Sequence, residues 1–496
     1  MRTLSKSKII AFRQCPKRMW LEIHQPELRD DSASEMVFAI GNQVGEVARQ
    51  VFDPHGNGAF IDINVLGHAE AISQSAMLLA EGSGPLFEAG ITASGALAYA
   101  DVMLPDRSDG TLRWRMIEVK SSTSVKDYHR DDIAVQSFIA AEAGVPLASI
   151  AVAHINSGFT YFGGDRYDGL FEVVDLTEET VDRHEEVRQW FKLAHEIANQ
   201  AEEPTIETGY HCHKPFTCGF CDYCNQGKTF PDYPLGSLPR LHPNRRAAIE
   251  ETGVDDLREA PDELLNAIQQ RVKECSVTGV PYFDAEGAAA ELAAYGNPGY
   301  FLDFETIFFA VPRWEGTRPY QQLPFQFSLH ILHINGRMEH QGFLDLSGAD
   351  PSQACAVELI RLCGNKGPVF AYNAGFESRV IRELADRYPE LASRLSAIAA
   401  RLVDLLPIAR RHYYHPSQHG SWSIKAVLPA LCPDLSYDAL DGVQDGNMAQ
   451  TAYQEAIARE TTVERKAQLK EQLHEYCKLD TLAMVRIWQA FKGASA

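Results

Sequence analysis

YFLDFETI, residues 300–307, decides the fold of the C-terminal half of this chain. Alternate residues of a strand face the same side, so Asp303 and Glu305 project together from an apolar run that Phe301 and Phe304 hold in place. Two later stretches supply matching chemistry. FAYNAGFES, residues 370–378, puts Glu377 after an Asn373-x-x-Phe376 turn at the top of a helix. HEYCKLDTLAMV, residues 474–485, puts Tyr476 and Asp480 one helical turn apart on a shared face. Four carboxylates and a phenol from three elements can hold two divalent cations, one activating a water and the other stabilising a leaving oxygen. The Tyr476 hydroxyl is then placed to orient that water. Asp404 in LVDLL reads as a structural acid beside a buried strand end, and Lys425 in SWSIKAVL as a surface lysine.

Working outward, the pattern from about residue 298 predicts strands at Tyr300–Phe304, Phe325–Ile334 and Met338–Asp345. A helix at Pro351–Cys363, a strand at Pro368–Tyr372, a helix at Phe376–Arg387, the apolar LVDLLPIA and a long terminal helix follow. Three early strands and then alternating helix and strand fit an RNase H-like sheet. The three motifs resemble those of the DnaQ-like exonuclease superfamily, in the subgroup whose third motif is Y-x-x-x-D, over about residues 298–492. That resemblance implies a 3'-5' exonuclease using Mg2+ or Mn2+. Asp303, Glu305, Glu377 and Asp480 would be its metal ligands, with Tyr476 beside them. Glu377 stands where the superfamily normally has aspartate.

The N-terminal half is also α/β. Helical patterns at Ser7–Glu22 and Glu35–Phe52 precede strand-like runs at Ala98–Leu104, Leu112–Val119 and Ala148–Ile155. GALAYADVMLPD (95–106) carries Asp101, and WRMIEVKSS (114–122) carries Glu118 and Lys120, which share one face of their strand. Two carboxylates there suit a hard divalent cation, and the lysine a phosphate or nucleophile. This resembles the PD-(D/E)XK nuclease pattern. Gln136, in DDIAVQSFIA (131–140), takes the place of the glutamine of RecB-like nucleases. Two positions depart from that family: GNQVGEVA (41–48) has Gly45, followed by Glu46, where a histidine is common, and Ala140 replaces a tyrosine.

Of the ten cysteines, Cys15 stands alone in FRQCPKRMW (12–20) and Cys212, Cys218, Cys221 and Cys224 cluster in HCHKPFTCGFCDYC (211–224). In a cytosolic chain such a cluster reads as a metal site, since thiolates select zinc or iron-sulfur clusters. The second group alone could form a zinc knuckle, with His211 or His213. Both groups together resemble the iron-sulfur RecB-like nucleases of the AddB type and of CRISPR spacer acquisition. That implies a [4Fe-4S] cluster on Cys15, Cys212, Cys218 and Cys224, with Cys221 able to replace a neighbour.

The resulting layout is a RecB-like domain at 1–228, a linker (FPDYPLGSLPRLHPNR, 230–245) with a helical spacer to 297, and a DnaQ-like domain at 298–496. Gly253-Val254 is expected to separate two helices of a helix-hairpin-helix-like spacer. The arrangement resembles a bacterial family of unknown function. A chain of 496 residues suits two or three domains, and 45% hydrophobic and 23% charged residues are ordinary for a globular protein. The N-terminus has no apolar h-region and no stretch is long enough to span a membrane, so a cytoplasmic protein is expected. The formal net charge of −21 excludes a generic polyanion-binding surface and leaves nucleic acid, DNA or RNA, to local sites. The reading is a metal-dependent nuclease of repair or defence. Its rivals are a nucleic-acid-binding scaffold that does not cut and an RNA-processing exonuclease.

Overall fold

The computed structural model describes residues 2–30 and 35–493. The chain is mixed α/β and divides into two compact units, residues 1–228 with 309–321, and residues 229–308 with 322–496. No helix among the described residues is long and apolar enough to cross a membrane.

The first unit is built on a sheet with strand order Ala59–Phe60, Leu86–Ala93, Ala96–Asp106, Arg113–Lys120, Leu147–Ile155, Phe171–Asp175, and Leu4–Ser5 pairs with Ala96–Asp106. The centre is antiparallel between Ala96–Asp106 and Arg113–Lys120, then parallel to Leu147–Ile155. Helix Asp127–Glu142 packs its apolar face, including Ile133, Val135 and Ile139, into the core of this unit. The expected helix Ser7–Glu22 is two helices, Lys6–Gln14 and Pro16–His24. Pro16 lacks the N–H that a continuous helix needs and disfavours helical backbone at the residue before it. Cys15 is accordingly extended and lies in the break, not on a helix.

Residues 309–321 connect two strands of the second unit yet cluster with the first. Ala310 and Val311 pack with Val44, Val47 and Ile155, and the Tyr320 hydroxyl donates to the carbonyl of Ser121.

The second unit carries a five-stranded sheet in the order Met338–Leu344, Leu323–Leu332, Gly299–Ile307, Val369–Ala371, Leu402–Asp404. The first three are antiparallel, and the last two join parallel to Gly299–Ile307 and to each other. The side-chain period of two sorts the central strand. Phe301 turns toward Phe370, with ring centroids 5.0 Å apart, and toward Trp488 of the terminal helix Val463–Lys492, at 5.9 Å. Phe304 enters the opposite core with Leu302, Phe327 and Leu359. In residues 229–297, which cluster with the second unit, the segment after Gly253 differs from the expected helix pair. Short 3-10 turns at Leu257–Glu259 and Asp262–Leu264 intervene, and the next helix begins only at Ala267. Asp256 caps the first turn and pairs with Arg258, and Pro261 precedes the second.

Candidate active site

The terminal helix lies on the face of strand Gly299–Ile307 that carries the odd-numbered residues, and this brings the C-terminal motifs together. Ligand atoms of Asp303, Glu305 and Cys477 lie within 4.8 Å of one another. Asp480 is 6% exposed and Glu305 8%. Burial, then the charges of Asp480, Glu305 and Glu377, raise the Asp303 carboxyl well above its ordinary range. Burial and then Asp480 push Glu305 up to about 8. Asp480 rises only to about 6, because the hydroxyls of Tyr437 and Tyr476 and the charge of Lys425 oppose its burial.

Glu377 is 2% exposed at the start of helix Gly375–Arg387, and its Oε2 has no hydrogen-bond partner among the described residues. Burial and then Asp404 raise its carboxyl to about 8. Asn373, at φ 73, makes the left-handed turn that starts this helix, and its N–H donates to Asp404 Oδ1 at 2.9 Å. Asp404 also caps helix Leu405–His412. It is thus the structural acid expected, and it also acts on Glu377. Among the described residues none of Asp303, Glu305, Glu377 and Asp480 has a basic partner within ion-pair distance.

Tyr476 is 5% exposed, and its phenol is held protonated by burial and then by Asp480. Besides Cys477, whose Sγ donates to Asp303 Oδ2 at 3.9 Å, two further residues that sequence reasoning missed belong to this centre. The Tyr437 hydroxyl donates to Asp480 Oδ1 at 2.6 Å. Lys425, expected at the surface, is half-buried and acts on both Glu305 and Asp480. Tyr437 lies in a 3-10 turn with no periodic relation to residue 480, so spacing could not have found it. For Lys425 the only signal was a lysine in the first turn of an apolar helix.

In the first unit Asp101, Glu118, Lys120 and Gln136 also meet. Asp101 Oδ2 accepts from the Val119 N–H at 2.7 Å. Glu118 Oε1 pairs with Lys120 Nζ at 2.6 Å, and its Oε2 accepts from Gln136 Nε2. Sequence reasoning missed Lys6, which pairs with Glu118 at 2.7 Å, and Asp132, which contacts both lysines. It missed Glu88 too, a left-handed residue at φ 57 within a strand, whose carboxyl is raised by burial and then by Glu118. Burial would raise Glu118, but the two lysines overcome it and hold its carboxyl below the ordinary range. Asp101 goes the other way, raised by burial and then by Glu118. At the two departures from the family pattern, a Cβ on Gly45 would meet nothing within 4 Å and Ala140 is fully buried. Glu46 is exposed.

Cys15, Cys212, Cys218, Cys221 and Cys224 line a single pocket with His211, Lys17 and Arg18, and all five are free thiols. Gln14 ties the helix break to the distant segment, its Nε2 donating to the carbonyls of His211 at 2.8 Å and Phe216 at 2.6 Å. Burial raises the thiols of Cys218 and Cys224, and the charges of Cys15 and Cys212 act on both. Cys221 is pushed up to about 11 by burial and by Cys218 and Cys212, and its Sγ leans on the carbonyl of Cys212 at 3.7 Å. Thiols from two distant segments facing one space, beside two cationic side chains, suit a thiophilic metal or cluster. His213 is not among the pocket residues.

Among proteins of known function no curated sequence matches this chain. A family described as a domain of unknown function, DUF2779, matches residues 300–423. The matched span contains Asp303, Glu305, Glu377 and Asp404, and it ends before Lys425, Tyr437, Tyr476 and Asp480.

Proposed function

We propose that the second unit is a metal-dependent 3'-5' exonuclease with an RNase H-like fold of the DnaQ type. One observation carries this reading: Asp303, Glu305, Glu377 and Asp480 converge from three elements, largely buried, with no ion pair among the described residues to balance them. Buried carboxylates so placed must either stay protonated or bind cations. Two Mg2+ or Mn2+ ions would satisfy them and supply an activated water and a stabilised leaving oxygen. Tyr476 would orient the water, and Tyr437 would fix Asp480. The test uses the full chain with end-labelled single-stranded DNA, duplex DNA and RNA, in Mg2+, Mn2+ or chelator. Trimming from 3' ends that needs metal and is lost in Asp303→Asn supports the reading; substrates left intact under all conditions reject it.

For the first unit we propose a PD-(D/E)XK-type nuclease fold, with Asp101 and Glu118 as metal ligands and Lys120 and Gln136 beside them. Cys15, Cys212, Cys218 and Cys224 would hold a [4Fe-4S] cluster, or Zn2+ in its place, clipping the helix break to the distant cysteine segment. A second reading, a module that grips nucleic acid without cutting, is favoured by the pairing of Glu118 with two lysines. Lys120→Ala separates them: it abolishes any cleavage by the first unit and leaves 3' trimming intact, whereas identical behaviour on every substrate favours the binding module.

A further inference from the structure

Lys425 sits in the first turn of helix Ile424–Leu431, and the start of that helix is fixed from several sides. Trp422 is buried, with its indole N–H on the carbonyl of Tyr413 at 2.7 Å, and its own carbonyl accepts from the Tyr372 hydroxyl at 2.8 Å. Tyr372 immediately precedes Asn373, so the turn that delivers Glu377 and the helix that delivers Lys425 are braced against each other.

The ammonium itself is held between two rings. Its Nζ lies 5.3 Å from the ring centre of Tyr437 and 5.4 Å from that of Tyr476, the two tyrosines that face Asp480. It donates to the carbonyl of Gln444 at 2.6 Å. That carbonyl leads into Asp445 and helix Gly446–Ile457, whose first residue approaches the centre: a Cβ on Gly446 would stand 3.9 Å from Glu305 Oε2. A lysine ammonium has three N–H donors, and here one is used on a backbone oxygen. Among the described residues Lys425 is within 4 Å of no carboxylate oxygen, although its charge reaches Glu305 and Asp480.

A lysine whose task was to neutralise the acids would close an ion pair with one of them, as Lys6 and Lys120 do in the first unit. Lys425 is instead held by aromatic faces and a carbonyl, which position a cation without cancelling its charge. Two N–H groups are left for a ligand at the edge of the carboxylate cluster. A phosphodiester presents anionic oxygens that can engage both divalent cations and an adjacent ammonium.

We propose that Lys425 is a catalytic residue of this centre that donates to a non-bridging oxygen of the scissile phosphate. The proposal rests on the reading of the centre as a phosphodiester hydrolase. In that reaction the water oxygen bonds to phosphorus, and the bond from phosphorus to the 3' oxygen of the penultimate nucleotide breaks. The leaving oxygen ends protonated, with water as the only co-reactant. Negative charge on the phosphoryl oxygens grows in the transition state, and a preorganised donor there acts on turnover more than on ground-state binding.

The test compares wild type, Lys425→Gln and Lys425→Arg as full chains, reading 3' trimming of single-stranded DNA, Mn2+ affinity by electron paramagnetic resonance, and binding of 5'-dTMP with Mn2+ present. Lys425→Gln is expected to lose about 100-fold in turnover, as for a single lost oxyanion donor. It should bind dTMP about 10-fold more weakly and keep its Mn2+ affinity, and Lys425→Arg should recover part of both losses. Wild-type trimming by Lys425→Gln would overturn the proposal, as would activity that falls only in step with Mn2+ affinity. If the wild type trims no substrate, the hydrolase reading fails, and the dTMP measurement still decides the phosphate contact: weaker binding by Lys425→Gln supports it, and equal or absent binding overturns it.

Discussion

Replacing Glu305 by glutamine should stabilise the metal-free protein, and by more as the pH rises. Burial and then the charge of Asp480 raise this carboxyl from 4.5 to about 8. Between those values the folded protein keeps a proton that the unfolded chain has released, so this group's contribution to stability is greatest below pH 4.5 and falls as the pH climbs toward 8. At about pH 7, roughly 2.5 pH units above the unfolded value, this costs about 3 kcal/mol at ~1.4 kcal/mol per unit. Part of the cost is shared with Asp480, so Glu305→Gln should recover about 1–3 kcal/mol, a rise in Tm of roughly 2–12 °C at about 2–4 °C per kcal/mol. Thermal unfolding of the full chain in chelator, scanned from about pH 4.5 to 8, reads this directly. The difference should nearly vanish at the acid end. Mn2+ should reverse the order, raising the Tm of the wild type more than that of the variant. A change in Tm that is independent of pH, or a loss of stability in Glu305→Gln at the alkaline end, would refute the idea that this centre holds uncompensated charge.

Tyr476→Phe keeps the ring and removes the hydroxyl, so Mn2+ binding should survive while turnover falls by roughly 10²-fold, as for a lost general base; full activity would mean that the phenol only packs. Lys6→Met leaves Glu118 with one cation, which should destabilise the first unit by about 3 kcal/mol in chelator. Recovery on adding Mn2+ would mark Glu118 as a metal ligand, and no response to the metal would mark a binding module. Anaerobically purified protein should carry about four iron atoms per chain and lose them in Cys15→Ala; stoichiometric zinc without iron or labile sulfide would replace the cluster with a zinc site.

What the sequence disclosed about these centres follows the range of its signals. Asp303 with Glu305, and Glu118 with Lys120, were found because a strand repeats every two residues, and Tyr476 with Asp480 because a helix returns after four. These are local periodicities. Lys6 lies 112 residues from Glu118 and Tyr437 43 from Asp480, and no period connects such pairs, so the contacts exist only once the sheet and the terminal helix are packed. Glu88 was hidden differently: it sits in an ordinary-looking apolar strand, and only its left-handed backbone sets it apart. Lys425 is hidden by composition, since a lone lysine in SWSIKAVL looks solvated until Tyr437 and Tyr476 close around it. Segment 309–321 shows the same limit at larger scale. Nothing local in FAVPRWEGTRPYQ says that Ala310 and Val311 pack with Val44, Val47 and Ile155 or that the Tyr320 hydroxyl reaches the carbonyl of Ser121.

The two acidic clusters place opposite demands on a cation. In the first, Glu118 is only 3% exposed but has Lys6 at 2.7 Å and Lys120 at 2.6 Å, and Asp132 is shared by both lysines. Burial would lower both ammonium groups, yet the acids around them raise them, so the cluster is balanced internally. A metal arriving there must compete with a lysine for Glu118 or recruit Asp101 and Glu88, whose carboxyls hold their protons more tightly than usual. In the second cluster Asp480 has the hydroxyls of Tyr437 and Tyr476 and Asp303 has the Cys477 thiol, but among the described residues no acid there closes an ion pair and Glu377 Oε2 has no hydrogen-bond partner. Divalent cations bound there, as proposed, would relieve repulsion that the fold leaves in place, so binding energy and folding energy would have the same sign. Chelation should therefore lower the stability of the second unit and leave the first nearly unchanged, and the dependence of each on pH should follow the same division. Glu118 supports the first unit at neutral pH and loses that support progressively as the pH falls below its unfolded value of 4.5, whereas Glu305 and Glu377 burden the second increasingly as the pH rises toward about 8.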